Sequence, residues 1–212
     1  MRPNPFHRLH SLRMENDQAG YDMAEEAPRF HALATRHEDG TAPKALTAHQ
    51  LFQTPPELAA QLAALLDLSP GARVLEPSAG LGRLLDALAP YEPAEIVAVE
   101  QAPNLCAELF KREPLTLRQR DFLTTTPAEL GTFDAVAMNP PFTMRSDVRH
   151  ILHAIQFLKP GGTLAALCMD TPHREKALRH LSHTWQPIPA GAFRSAGTNV
   201  PTVLISIKSR AA

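Results

Sequence analysis

Val74-Leu75-Glu76-Pro77-Ser78-Ala79-Gly80-Leu81-Gly82-Arg83-Leu84-Leu85 joins a short apolar run to a turn with two glycines and then to a new apolar stretch. The order reads as a buried strand, a tight turn and the start of a helix. Gly80 and Gly82 lack Cβ atoms, so the backbone there can turn sharply and approach a ligand closely. A dinucleotide-binding fingerprint would need a third glycine three residues after Gly82, and Leu85 stands at that place. Glu76, at the strand's end, can hold a cationic ammonium, a group that a pyrophosphate cofactor does not offer. Taken alone, the turn can equally be a structural feature without a ligand.

Strand and helix signals alternate on both sides of this turn. Upstream, Leu58, Leu62, Leu65 and Leu66 recur at helical spacing after Thr54-Pro55-Pro56, with Thr54 as cap and proline at the helix start. Downstream, a helix runs through Leu88, a strand covers 96–99 and a helix 104–112. Strands follow at 115–120 and 134–138, then a helix over 148–158 closed by Pro160-Gly161-Gly162, a strand at 163–169 and a helix over 172–183. Two last strands, 186–188 and 202–208, have a short connection. This pattern predicts an α/β fold, a Rossmann-like doubly wound sheet of seven strands. The sheet is mostly parallel, covered on both faces, and ends in an antiparallel C-terminal hairpin. Residues 1–48 are rich in His, Arg, Glu and Pro without sustained periodicity, and read as an irregular arm with a short helix near 23–33. Residues 49–212 form the predicted folded domain.

The chain's 212 residues, 44% apolar with net charge −1, suit one α/β domain of ordinary soluble character. No apolar run is long enough for a bilayer, and the first twelve residues lack the apolar core of a signal peptide. Two cysteines, Cys106 and Cys168, are too few for a disulfide framework, so a reducing cytoplasm is the expected setting. Charge is unevenly spread. Residues 1–142 hold 12 Lys and Arg against 19 Asp and Glu, a balance of −7, whereas 143–212 hold 9 against 3, a balance of +6. A local basic surface can bind phosphates even in a neutral chain, although surface charges also segregate by chance.

Three further motifs fall at predicted strand ends, where open α/β sheets bind ligands. Glu100, followed by Gln101, closes Val97-Ala98-Val99 and can accept hydrogen bonds from both hydroxyls of a ribose. Asp121 can accept from an adenine amino group while Phe122 packs on the ring; a helix cap and a core aromatic are the other reading. Asn139-Pro140-Pro141-Phe142 ends the fourth strand. An exocyclic amino nitrogen is a poor nucleophile because its lone pair is delocalised. Two acceptors, the Asn139 side-chain oxygen and the Pro140 carbonyl, can bind both amino hydrogens and push the nitrogen towards a tetrahedral shape. The prolines hold those acceptors in place beforehand, and Phe142 can stack on a planar target.

As an ordered set these motifs resemble the class I S-adenosylmethionine-dependent amino-methyltransferases, especially the N6-adenine DNA methyltransferases. Gln53-Thr54-Pro55-Pro56-Glu57-Leu58 resembles their entry motif, which implies that Thr54 and Pro55 lie near the cofactor's methionine end. Glu76-Pro77-Ser78-Ala79-Gly80-Leu81-Gly82 resembles their glycine loop, Glu100 their ribose acid, Asp121-Phe122 their adenine-binding pair and Asn139 to Phe142 their catalytic tetrapeptide. Leu158-Lys159-Pro160-Gly161-Gly162-Thr163-Leu164 is similar to the turn before their fifth strand. The likeness covers roughly residues 50–208, and its compact build resembles the solo enzymes of phages and prophages. It implies S-adenosylmethionine as cofactor and adenine N6 in DNA as acceptor. The alternatives are a base amino group in RNA, a protein glutamine amide, or a non-catalytic cofactor-binding subunit of a nucleic-acid complex.

The chain departs from that family where a target-recognition domain is usual, since helix and strand signals follow the tetrapeptide almost at once. Recognition then falls to the arm, the basic C-terminal third or a partner protein, with Arg145, Arg149, Arg174, Arg179 and Arg194 as candidate contacts and residues 191–199 as a lip over the site. If DNA is the substrate, the adenine must leave the stack. No metal site is expected: His7/His10, His150/His153 and His180/His183 are spaced i, i+3, but no Cys or carboxylate cluster completes a site, and surface histidines are the natural reading. No nucleophile elbow supports Ser/His/Asp hydrolysis.

Overall fold

The computed structural model describes residues 53–112, 115–142, 146–189, 191–193 and 200–210. The expected arm over 1–48, the short helix near 23–33, Arg145, Arg194 and most of the 191–199 lip lie outside the described residues.

Seven strands form one sheet in the order β3-β2-β1-β4-β5-β7-β6. They are β1 Arg73–Glu76, β2 Glu95–Glu100, β3 Thr116–Gln119, β4 Phe133–Met138, β5 Leu158–Met169, β6 Thr184–Pro187 and β7 Thr202–Lys208. The first five run parallel, and β7 is antiparallel to both β5 and β6. The helices are α1 Pro56–Ala64, α2 Arg83–Leu88, α3 Pro103–Leu109, α4 Pro127–Leu130, α5 Ser146–Ala154 and α6 Pro172–Leu178.

Alternation of side chains along each strand splits the core into two layers. Leu75, Val136, Met138, Leu164, Ala166 and Cys168 face one way, against Ile151 and Ala154 of α5, Leu178 of α6 and Phe157. Val74, Ala135, Ala137, Ala165 and Leu167 face the other way, against Leu58, Leu62 and Leu84 of α1 and α2. Every residue of β5 from Leu164 to Cys168 is fully buried, as a central strand covered on both faces must be.

The structure corrects some boundaries. The N-cap of α1 is Pro55, with no side-chain cap bond, so Thr54 does not cap this helix. Helix α5 stops at Ala154 and continues as a 3-10 turn, Ile155–Phe157. The run Leu158 to Gly162 is part of β5 rather than a turn before it. Register explains this: Phe133 pairs with Leu158, but Ala135 pairs with Thr163, so Lys159 to Gly162 bulge out of the ladder. Lys159 Nζ is tied to Asp134 at 2.8 and 2.9 Å, and Gly161 takes a positive φ of 78°. Helix α6 ends at Leu178, five residues earlier than the apolar pattern suggested. Helix α4 was not anticipated, although Thr126 and Glu129 form a capping box around it.

Gly162 is held closely by backbone: a Cβ there would meet the Asp134 and Lys159 carbonyl oxygens at 3.0 Å and that of Phe133 at 3.2 Å. Backbone cannot swing aside, so Gly162→Ala should cost about 1–3 kcal/mol, whereas Lys176→Ala on the exposed side of α6 should be close to neutral. Thermal or urea unfolding of the two variants checks this ordering.

Candidate functional site

Four polar side chains reach one place because four parallel strands end there. Glu76 closes β1, Glu100 closes β2, Asp121 follows β3 and Asn139 follows β4. They line a cavity of about 380 Å³, within the roughly 300–1,000 Å³ of small-molecule sites.

The glycine loop forms its floor. Gly80 and Gly82 have φ of 55° and 79°, the left-handed region that only glycine enters cheaply. Glu100, itself buried, braces the loop: its Oε2 accepts the Gly80 N–H at 2.8 Å and its Oε1 accepts the Ala102 N–H at 2.7 Å. Each oxygen keeps a second lone pair for a hydroxyl donor. From the other side Arg112 donates to the Gly82 and Leu81 carbonyls at 3.2 Å and to Asp86 at 2.6 Å. A Cβ on Gly82 would meet that guanidinium at 2.9 Å, so this glycine makes room for the clamp, whereas nothing lies within 4 Å of a Cβ on Gly80.

Glu76 is 1% exposed, and among the described residues its Oε2 finds no hydrogen-bond partner. Burial pushes its carboxyl well above the usual carboxylate range; the Arg112 guanidinium offsets part of this, while Asp86 and Glu100 push further upward. An orphaned acid in a cavity wall is completed by a cationic donor.

Asn139 leaves β4 directly into Pro140-Pro141-Phe142. Its Nδ2 donates to Thr54 Oγ1 at 3.0 Å, which explains why Thr54 is buried rather than capping α1. With the donor end held by Thr54, the amide's oxygen is turned away from it. Phe142 is buried in the layer of α1 and α2 while lining the cavity. Arg174, a candidate nucleic-acid contact by its charge, is instead buried. Its guanidinium bonds both carboxylate oxygens of fully buried Asp147 at 3.0–3.3 Å and donates to the Phe142 carbonyl at 3.4 Å. Asp147 also accepts the Met169 N–H at 3.3 Å. This pair fastens α5, α6 and the end of β5 to the far side of the tetrapeptide.

Asp121 serves as cap and cavity wall together: its Oδ1 accepts the Leu123 N–H at 2.9 Å at the head of a 3-10 turn. Phe122 belongs to the core, among His150, His153 and Phe157, and lines the cavity as well. The histidines of α5 are therefore not the surface pair their spacing suggested. His150 is 7% exposed, and His153 Nε2 donates to the Thr125 carbonyl at 3.0 Å.

The structure thus gathers Thr54, Glu76, Pro77, Ser78, Ala79, Gly80, Glu100, Gln101, Asp121, Phe122 and Asn139 to Phe142 around one cavity, while Pro55 and Gly82 lie outside its lining. Arg83, Arg120 and His150 line it without having been singled out as site residues. Among the described residues no His, Cys, Asp and Glu cluster could hold a metal ion, and no helix is long and apolar enough to cross a membrane.

The protein family described as "Methyltransferase domain" matches residues 75–166, the span from β1 through β5 that builds this cavity. This stretch is similar to that family, and the sheet around it has the Rossmann-like fold of class I methyltransferases. No curated protein matches the chain by sequence. Among solved structures, TrmN from Thermus thermophilus aligns with a TM-score of 0.61 at 20% identity, covering 76% of this chain and 51% of that one. The 23S rRNA methyltransferase ErmE aligns at 0.57 and 18% identity, covering 76% and 70%. The methyltransferase subunit of a type I restriction-modification system from Streptococcus thermophilus aligns at 0.62 and 23%, covering 74% and 45%. The chain thus spans about half the length of the first and third of these. At such identities the likeness establishes the fold.

The match to a methyltransferase domain implies S-adenosylmethionine as cofactor, and the residues present fit it. The orphaned Glu76 acid would suit a methionine ammonium, and the remaining lone pairs of Glu100 would suit ribose hydroxyls.

Two predictions follow from the buried charges. Asp147→Asn strands Arg174 without a countercharge and should cost about 3–5 kcal/mol of stability, whereas replacing both residues with apolar ones of similar volume should cost less. Denaturant titration of the single and double variants measures the difference. For Glu76, a bound cation favours the ionised carboxylate, so binding of S-adenosylhomocysteine should release a proton in the window between an ordinary glutamate's pKa and the raised one. Affinity should therefore weaken as pH falls through the raised pKa, and Glu76→Gln should remove that dependence. Calorimetry in buffers of different ionisation enthalpy reads the proton directly.

Proposed function

We propose that the chain transfers the methyl group of S-adenosylmethionine to an exocyclic amino nitrogen, adenine N6, in DNA. The observation that carries this reading is Asn139 at the end of β4, its Nδ2 held by Thr54 Oγ1 at 3.0 Å and its backbone followed by two prolines. This orientation commits the amide oxygen to the role of acceptor.

In the proposed arrangement the cofactor's ammonium lies at Glu76, its ribose hydroxyls at Glu100 and its adenine beside Asp121 and Phe122. When bound, it supplies a sulfonium methyl carbon open to attack. The Asn139 side-chain oxygen and the Pro140 carbonyl accept the two hydrogens of the target amino group, returning its lone pair from the ring to the nitrogen. The N–C bond forms as the C–S bond breaks, leaving a neutral thioether, and the nitrogen's extra proton departs through these acceptors to solvent. Alignment matters more here than a strong base. Phe142, with the prolines, offers apolar surface to a flipped base.

Support for a polynucleotide comes from charge. Arg149, His173, Lys176, Arg179 and His180 are exposed on α5 and at or beside α6, the elements that flank the tetrapeptide's far side. Such a surface suits a phosphate backbone. The matched structures include both an rRNA methyltransferase and a restriction-modification methyltransferase subunit. An RNA base is accordingly the second reading, with the same chemistry.

Asn139→Ala should bind S-adenosylhomocysteine nearly as the wild type does, yet lose about a hundredfold or more of its methyl transfer to DNA. Glu100→Ala, by contrast, should weaken cofactor binding about tenfold or more, since the carboxylate contacts both ribose and loop. Calorimetry and label incorporation on the same preparations separate the two effects. Undiminished transfer by Asn139→Ala would falsify the catalytic assignment.

A further inference from the structure

His150 stands on α5, is 7% exposed and lines the cavity beside Asp121 and Phe122, its ring centroid 6.1 Å from that of Phe122. Its Nδ1 lies 2.8 Å from the Ser146 carbonyl oxygen and 3.0 Å from Ser146 Oγ. A carbonyl oxygen can only accept, so Nδ1 carries the hydrogen. Burial lowers the imidazole's pKa from its ordinary value; the Ser146 bond and Asp121 oppose this, and Arg149 and His153 add to it. A neutral ring with hydrogen on Nδ1 has an unprotonated Nε2, an acceptor and nothing else. This nitrogen makes no hydrogen bond to any described residue. On a residue that lines the cavity, such an acceptor is available to a ligand that brings an N–H to it.

Asp121 presents a matching acceptor. Its Oδ1 is used by the Leu123 N–H, and its Oδ2 has no bond among the described residues. The two side chains line the same cavity from different elements, Asp121 from the end of β3 and His150 from α5, and the Asp121 charge acts on the imidazole.

We propose that His150 is a specificity residue of the cofactor pocket, its Nε2 accepting one hydrogen of the cofactor's adenine amino group while Asp121 accepts the other. The proposal rests on the placement of adenine beside Asp121 and Phe122 stated above. In this arrangement the two acceptors suit a 6-amino purine, which donates twice. A 6-oxo purine puts a lone pair there instead and meets both acceptors without a hydrogen to share. The pocket therefore reads the amino group itself, and neither half of the reading belongs to a helix or strand signal: Asp121 is fixed by its turn and His150 by the carbonyl one turn before it on α5.

The test is calorimetric titration of the full chain with S-adenosylhomocysteine and with its 6-oxo counterpart, S-inosylhomocysteine, for wild type, His150→Phe and His150→Gln. Wild type should prefer the amino ligand strongly. His150→Phe should shrink that preference by about tenfold, chiefly through weaker binding of the amino ligand. His150→Gln, whose Oε1 can accept in the same place, should retain most of it. A structural role alone would lower both affinities by the same factor and leave the preference unchanged, and that outcome overturns the proposal. Should the wild type bind the two ligands equally, adenine does not sit between these acceptors, and the proposal falls with that placement. Failure of the wild type to bind either ligand would reject the cofactor site as a whole, a result distinct from unchanged discrimination in a binding-competent variant.

Discussion

The reversal of strand order at β1 is the constraint on which everything else depends. From β1 the chain steps outward to β2 and β3, then returns across the sheet to place β4 on the other side of β1. Connections from β1 and β4 therefore depart in opposite directions, and a crevice opens beyond their carboxyl ends. The ladder between them is short, pairing Val74 with Ala135 and Leu75 with Val136. Beyond that point Glu76 leads into the glycine loop and Met138 into the Asn139 tetrapeptide. The glycine loop and the Asn139 tetrapeptide thereby form the two lips of one cleft.

A cleft of this kind is useful only if its loops are held, and here buried polar groups hold them. Glu100 receives the Gly80 and Ala102 N–H groups, and Arg112 grips the loop from behind. On the opposite lip Thr54 orients Asn139, and the Arg174–Asp147 pair fastens the Phe142 carbonyl. Buried ions are expensive unless paired and bonded, and this pair is both. Glu76 is the exception: it is buried, its Oε2 has no hydrogen-bond partner among the described residues, and it is held above its usual pKa. A buried, strongly shifted acid of this kind in a cavity wall costs stability and marks a candidate site for a cationic group.

Much of this architecture was legible from spacing. The order of strands and helices, the mostly parallel sheet and its antiparallel edge follow from apolar runs punctuated by glycine and proline, and four acidic or amide residues fall at strand ends. What escaped is instructive. The Lys159 to Gly162 bulge looks like a turn because glycine and proline signal the local backbone, whereas its membership of β5 is set by pairing with β4. Helix α4 is a single turn, too short for apolar periodicity, although its Thr126/Glu129 box was present to be read. Arg174 and His150 resemble surface residues in a charged, His-rich stretch. Their burial depends on partners distant in sequence: Asp147 lies 27 residues before Arg174, and Phe122 precedes His150 by 28 positions along the chain. No periodicity of one segment carries that information.

The central claim is that the cleft presents an amino nitrogen of DNA to a sulfonium methyl group. The most direct measurement is incubation of the full chain with methyl-labelled S-adenosylmethionine and separate pools of DNA, RNA and protein, followed by digestion and nucleoside analysis. The account predicts label in DNA as N6-methyladenine. Label confined to RNA or protein, or at a ring carbon or ring nitrogen of any base, would contradict it.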